Sequence, residues 1–137
     1  MQTALRVSVP IRILLVEDEF LIAEWVAESL SEQGFAVHAA SNARDALRYL
    51  AAAPVDVLFT DINLAEGMDG AALARRARQM SPELAVIYAS ARVAGLEPEQ
   101  RVPGALFVRK PYEPEAVGRL IMGLFEAASA PLVPELA

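Results

Sequence analysis

Apolar and polar positions divide this chain into two kinds of segment. Short continuous apolar runs appear at Ile11–Val16, Phe35–Ala40, Val55–Thr60, Ala85–Ser90 and Ala105–Val108. Runs of four to six, rich in β-branched and aromatic residues, suit strands covered on both faces. Between them apolar residues recur every three or four positions, the period of a helix. One such stretch runs from Phe20 to Gln33, with Ile22, Trp25, Val26 and Leu30 on its stripe and Gly34 as its stop. A second runs from Ala43 to about Ala53, with Ser41 and Asn42 both suited to cap it. A third covers Gly70 to Met80 and ends at Ser81-Pro82. The last runs from about Glu113 to Ala128, with Pro114 in its first turn and Val117, Leu120, Ile121, Leu124 and Phe125 as its stripe. Residues 91–102, broken by Gly95 and Pro98, leave room for one short helix at most and are expected to be the most mobile stretch. Alternating strands and helices predict an α/β domain, a parallel sheet with helices on both faces.

Composition narrows this picture. At 137 residues the chain has room for one ordinary domain. We place that domain at residues 11–128, with flexible termini at 1–10 and 129–137. Apolar residues make up 55% and charged residues 22%, enough for a packed core. The absence of cysteine excludes disulfides, thiolate metal sites and cysteine catalysis, and suits a cytoplasmic protein. A net charge of -6 disfavours direct binding to nucleic acid or an anionic membrane. No apolar run reaches the ~18 residues that span a bilayer, and no signal peptide is evident.

The candidate chemistry lies at the strand ends. The first strand runs into Glu17-Asp18-Glu19, the third ends in Asp61, the fourth in Ser90, and Lys110 follows the fifth. In an open parallel sheet the carboxyl ends share one edge, where ligands bind. Each residue has a plainer explanation alone. The acids could cap a helix, Ser90 could be a turn residue, and Lys110 could be a solvated charge. Together they read differently. Clustered carboxylates suit a hard divalent cation, Mg²⁺ above all, and a lysine with a hydroxyl suits a phosphoryl group. The set predicts a Mg²⁺-assisted phosphoryl site with Asp61 as nucleophile. His38, the single histidine, reads as structural or exposed. Trp25 and the last helical stripe read as core and partner surface.

Four segments then carry a resemblance: Ile13-Leu14-Leu15-Val16-Glu17-Asp18-Glu19; Leu58-Phe59-Thr60-Asp61-Ile62-Asn63-Leu64 with Gly67-Met68-Asp69-Gly70; Val86-Ile87-Tyr88-Ala89-Ser90-Ala91; and Phe107-Val108-Arg109-Lys110-Pro111-Tyr112. In this order and spacing the chain resembles the response-regulator receiver domains of two-component signalling, over about residues 11–128, and of the stand-alone type. The resemblance implies a flavodoxin-like doubly wound sheet with strand order 2-1-3-4-5. It implies Asp61 as phospho-acceptor, Glu17 and Asp18 as the Mg²⁺-holding acids, and the Asn63 backbone carbonyl as a further metal ligand. It also implies Ser90 as the switch hydroxyl, Lys110 as the phosphoryl-contacting lysine, Phe107 as the switch aromatic, and a Lys110-Pro111 bond of a kind often cis. Glu17 stands where an aspartate is commoner, Ser90 where threonine is frequent, and Phe107 lacks a tyrosine hydroxyl.

The implied function is a signalling switch rather than an enzyme, with at most slow self-dephosphorylation. A histidine kinase or phosphotransfer protein supplies the phosphoryl group. The face built from residues 91–103, the fifth strand and the last helix then meets a downstream protein, with a homodimer as one possibility. Two alternatives compete: a receiver-shaped scaffold that is never phosphorylated, and a small phosphatase with an aspartyl nucleophile. The latter usually carries a second acid two residues after the nucleophile, where this chain has Asn63.

Overall fold

The computed structural model describes residues 9–65, 67–91 and 97–129. The elements are β1 (Arg12–Val16), α1 (Phe20–Glu32), β2 (Ala36–Ala40), α2 (Ala43–Ala52), β3 (Val57–Asp61), α3 (Gly70–Met80), β4 (Ala85–Ser90), a 3-10 turn (Pro98–Gln100), β5 (Leu106–Arg109) and α4 (Pro114–Ser129). The strands form one parallel sheet in the order β2-β1-β3-β4-β5, the expected flavodoxin-like arrangement. None of the described helices is long and apolar enough to cross a membrane.

The two-residue period of a strand sorts the core into two layers. Leu14, Val16, Leu58, Val86 and Tyr88 face α2 and α3, where Ala46, Leu73, Ala74 and Ala77 meet them. Ile13, Leu15, Val57, Phe59 and Ile87 face α1 and α4, where Val26, Leu30, Val117 and Ile121 meet them. Every residue of β3 is buried, as a central strand requires. Each large apolar side chain fully buried in these layers contributes roughly 1.5–3 kcal/mol. The same parity carries Asp61 toward the α1 and α4 face, two residues beyond Phe59.

The ends of the elements have local causes. Gly34 follows α1 with φ +104°, a conformation other residues rarely adopt, and so turns the chain into β2. Of the two expected caps for α2, Asn42 does the work: its side-chain oxygen accepts the Asp45 N–H at 2.8 Å. Asp69 caps α3 in the same way, accepting from Ala72 N–H at 2.9 Å.

Several expectations need correction. The third strand begins at Val57 rather than Val55, because Asp56 is occupied elsewhere. Its carboxylate accepts Arg12 Nε at 2.9 Å, the other Arg12 guanidinium nitrogen at 2.9 Å and the Arg12 backbone N–H at 2.8 Å. This fork clamps the start of β1 to the start of β3 and lowers the Asp56 pKa, chiefly through the Arg12 hydrogen bonds. The fifth strand lies one residue later than expected. Trp25 is not core: it is 53% exposed, beside Phe20 at 73% and Leu21 at 76%. The buried stripe of α1 is Ala23, Val26 and Leu30, and Trp25 sits one residue, about 100° of helical turn, off it. His38 is exposed and stacks flat on Tyr49, ring centroids 3.8 Å apart. The expected short helix in residues 91–102 is the 3-10 turn at 98–100, while residues 92–96, most of 1–10 and 130–137 lie outside the described residues.

Tyr88 is fully buried, and its hydroxyl accepts the Val102 N–H at 3.2 Å, tying the segment after the 3-10 turn to β4. Tyr88→Phe leaves that buried donor unpaired and is expected to cost about 1–2 kcal/mol. Urea unfolding, with amide exchange at Val102, measures this. An unchanged midpoint and unchanged Val102 protection would refute it.

Candidate functional site

The carboxyl edge of the sheet gathers the residues singled out at the strand ends. β1 delivers Glu17 and Asp18, β3 delivers Asp61, β4 delivers Ser90, and the turn after β5 delivers Lys110. Register explains the meeting: Asp61 pairs with Ala89 and Ser90 with Arg109, so all these chains end within one or two residues of each other. The Lys110 backbone N–H donates to the Ser90 carbonyl at 2.8 Å, extending the β4–β5 ladder up to the lysine.

Glu17, Asp18 and Asp61 each present an oxygen within 4.8 Å of the others. Glu17 and Asp61 are buried, at 2% and 5% exposure. Lys110 Nζ lies 2.9 Å from Asp61 Oδ1 and 3.6 Å from Glu17 Oε1. Glu17 Oε2 accepts the Glu19 N–H at 3.1 Å, and Asp18 Oδ2 accepts the Ala65 N–H at 2.7 Å, which binds the loop after β3 to the acidic turn. Helix capping therefore does not explain the acids: the N-cap of α1, Glu19, uses no side-chain hydrogen bond. Ser90 is buried at the end of β4. Asn63 is exposed in the loop two residues past Asp61. Phe107 is half-buried, 5.1 Å from the Tyr88 ring, with the Arg101 guanidinium 5.5 Å over its own ring. The Lys110-Pro111 bond is cis.

Electrostatics are strained by this crowding. Burial, followed by the neighbouring Asp61 carboxylate, pushes Glu17 up to about 7 from 4.5, against the Glu19 N–H and Lys110, which act the other way. Burial alone would lower the Lys110 ammonium, but Asp61 and Glu17 more than offset it and its pKa is raised. Glu17 Oε1 is buried and has no hydrogen-bond partner among the described residues. A buried carboxylate oxygen with only a 3.6 Å ion pair to Lys110 and no hydrogen bond, beside two more carboxylates, is what a hard divalent cation satisfies, so the donor set fits Mg²⁺.

A pH dependence follows. The folded chain keeps a proton on Glu17 between about pH 4.5 and 7 that the unfolded chain releases. This contribution to stability is full below 4.5 and is lost as pH rises through 7. In EDTA, the stability of the wild type relative to Glu17→Gln is expected to fall by on the order of 3 kcal/mol between pH 4.5 and 8. Denaturant midpoints of both proteins across that range test it, and parallel curves would contradict it.

Three contributors escaped the sequence reading. Gly70, the first residue of α3, donates its N–H to the Ile62 carbonyl at 2.7 Å, and a Cβ there would run into the Asp61 carbonyl oxygen. Tyr112 packs on Phe59, ring centroids 5.3 Å apart, where burial and then the Asp61 and Glu17 charges hold its phenol above the ordinary range. Tyr88 packs against Phe107, ring centroids 5.1 Å apart. The Gly67-Met68-Asp69-Gly70 stretch was visible as part of the resemblance, but the Asp69 cap and the close approach of Gly70 to Asp61 were not read from it.

Comparison with known proteins identifies a family. The family described as response regulator receiver domain matches residues 13–119. The chain is similar to the response regulator receiver protein CpdR of Brucella abortus (strain 2308), 34% identical over 103 residues, covering 74% of this chain and 85% of that protein. It is also similar to the transcriptional regulatory protein QseB of Escherichia coli O157:H7, 37% identical over 93 residues, covering 68% of this chain but only 41% of that protein. Among solved structures, a response regulator receiver protein from Sinorhizobium medicae WSM419 superposes with TM-score 0.78 at 27% identity, over 86% of this chain and 96% of its own.

Proposed function

Because this chain belongs to the response regulator receiver domain family, we propose that it accepts a phosphoryl group on Asp61 and uses it to control a partner protein. The carrying observation is the convergence of Lys110 Nζ on Asp61 Oδ1 at 2.9 Å beside the three-carboxylate cluster.

The donor is a phosphohistidine on a histidine kinase or phosphotransfer protein. An Asp61 carboxylate oxygen attacks the phosphorus, an O–P bond forms, and the P–N bond breaks with its electron pair going to the imidazole. The product is an acyl phosphate on Asp61. Glu17, Asp18 and Asp61, with the Asn63 carbonyl, would hold Mg²⁺, which when bound supplies positive charge against the carboxylate and the transferred oxygens. Lys110 gives a fixed ammonium on the same side. Ser90, buried at the end of β4, turns its hydroxyl to the phosphoryl group, and Phe107 shifts in the space beside Tyr88. These contacts favour one of two pre-existing arrangements of the loops. The surface of residues 91–103, β5 and α4 then differs between the two states and meets a downstream protein.

The test is incubation of the purified chain with acetyl phosphate and Mg²⁺, read by intact mass. The expected result is a gain of one phosphoryl group that EDTA suppresses. No gain would leave the chain a receiver-shaped scaffold and sink the proposal.

A further inference from the structure

β2 is an edge strand, and its outer edge is recessed. α1 packs on one face of the sheet and α2 on the other, and both overhang β2 to form a cleft of about 990 Å³. Its lining includes the small side chains of Ala23 and Ala27 from α1 and Ala39 from β2, together with Phe20 and the stacked His38 and Tyr49 rings. Ala39 of the strand is itself exposed to the cleft.

That backbone has a free row of hydrogen-bonding groups. The Ala36 N–H donates to the Ile11 carbonyl at 2.9 Å, and the Ala40 carbonyl accepts the Glu17 N–H at 3.1 Å. Residues 36, 38 and 40 therefore turn their backbone toward β1. By the two-residue alternation of a parallel ladder, Val37 and Ala39 turn theirs outward, into the cleft. Among the described residues no hydrogen bond uses those outward groups. An exposed row of this kind is a template for another strand.

The walls select the occupant. Glu24 and Glu28 line the α1 side and Asp45 the α2 side, against Arg48 as the single lysine or arginine in the lining. Glu24 and Glu28 are exposed and a helical turn apart, so they can meet alternate side chains of an extended segment lying along β2. We propose that this cleft binds an extended, basic segment of a partner protein, which adds a strand to β2 and sets alternate lysines or arginines against Glu24 and Glu28. A second copy of this chain fits poorly, since two such edges would bring the same acids against each other. One end of the cleft reaches Glu17 and Asp18 of the phosphoryl site, but Glu24, Glu28 and the β2 edge take no part in the transfer proposed for Asp61.

The experiment is a titration of the ¹⁵N-labelled full chain at about 0.15 M salt with an eight-residue peptide of alternating lysine and valine. Two control peptides replace lysine by glutamate, or the central valines by proline. The lysine peptide is expected to shift the Val37 and Ala39 amides. The proline peptide, which cannot complete a ladder, is expected to bind about tenfold more weakly or worse, and the glutamate peptide not at all. The double variant Glu24→Lys, Glu28→Lys, at exposed helix positions, is expected to lose about tenfold in affinity while its circular dichroism is unchanged. Equal binding by the proline peptide means charge attraction alone and overturns the proposal. So does a shift map centred away from β2, or affinity untouched by the double variant. Sedimentation showing a concentration-dependent dimer with Val37 and Ala39 at its centre would assign the edge to a second copy and overturn it equally. Phosphoryl uptake is measured separately, so failure here leaves the reading of Asp61 intact.

Discussion

Asp61→Asn is expected to take up no phosphoryl group from acetyl phosphate under conditions where the wild type gains one. The substitution nearly preserves volume and shape but replaces the only buried aspartate of the cluster with an amide, whose oxygen is a poor nucleophile. Lys110 loses its partner at 2.9 Å yet keeps Glu17 Oε1 at 3.6 Å, so the ammonium is not left stranded and the fold should persist. Removing one of three carboxylates should also weaken Mg²⁺ binding, readable by titration calorimetry with the metal alone. Intact mass decides the main point. A phosphoryl group on the asparagine variant would move the acceptor to another residue, Glu17 and Asp18 being the candidates in the cluster.

Gly70→Ala is the second large effect, and it arises from space rather than backbone freedom. The new Cβ would collide with the Asp61 carbonyl oxygen and sit 2.9 Å from both the Asp61 carbonyl carbon and the Ile62 Cα. All three atoms belong to the backbone of the strand end, so no side chain can swing away. Overpacking against fixed backbone is expected to cost about 3 kcal/mol, a fall in Tm of roughly 10 °C for a domain of this size. Phosphoryl uptake should fall too, because relief of the clash means moving Asp61. Gly123→Ala is the matched control. That glycine lies within α4 with nothing among the described residues within 4 Å of the added Cβ, so the same change should stabilise by up to about 1 kcal/mol. Calorimetry of both variants tests the pair. If Gly70→Ala melted with the wild type, the close packing of α3 on the Asp61 turn would be refuted.

Much of the site was legible because a parallel sheet converts position along the chain into position in space. Glu17, Asp61, Ser90 and Lys110 could be paired with strand ends from the apolar runs alone, and strand ends of one sheet share an edge. What pairing could not supply was reach: that Lys110 touches both Glu17 and Asp61, or that Asp18 spends one oxygen on Ala65. Trp25 shows the opposite failure. An apolar residue at roughly the right spacing was read as core, but each residue turns the helix by about 100°, and Ala23, Val26 and Leu30 occupy the buried face. Asp56 was taken as part of a strand because its neighbours are apolar, and only the Arg12 fork explains where the strand starts.

By itself the chain's pattern of apolar and polar residues determined the alternation of strands and helices, the two-layered core and the list of polar groups at the carboxyl edge, since these follow from local period and from burial. Tertiary packing alone decided the rest. It recessed the β2 edge between α1 and α2, pressed Gly70 against Asp61, and buried Glu17 Oε1 with no hydrogen bond among the described residues. Those features depend on distances between residues far apart in sequence, which side-chain volume and sheet register set only once the whole domain has closed.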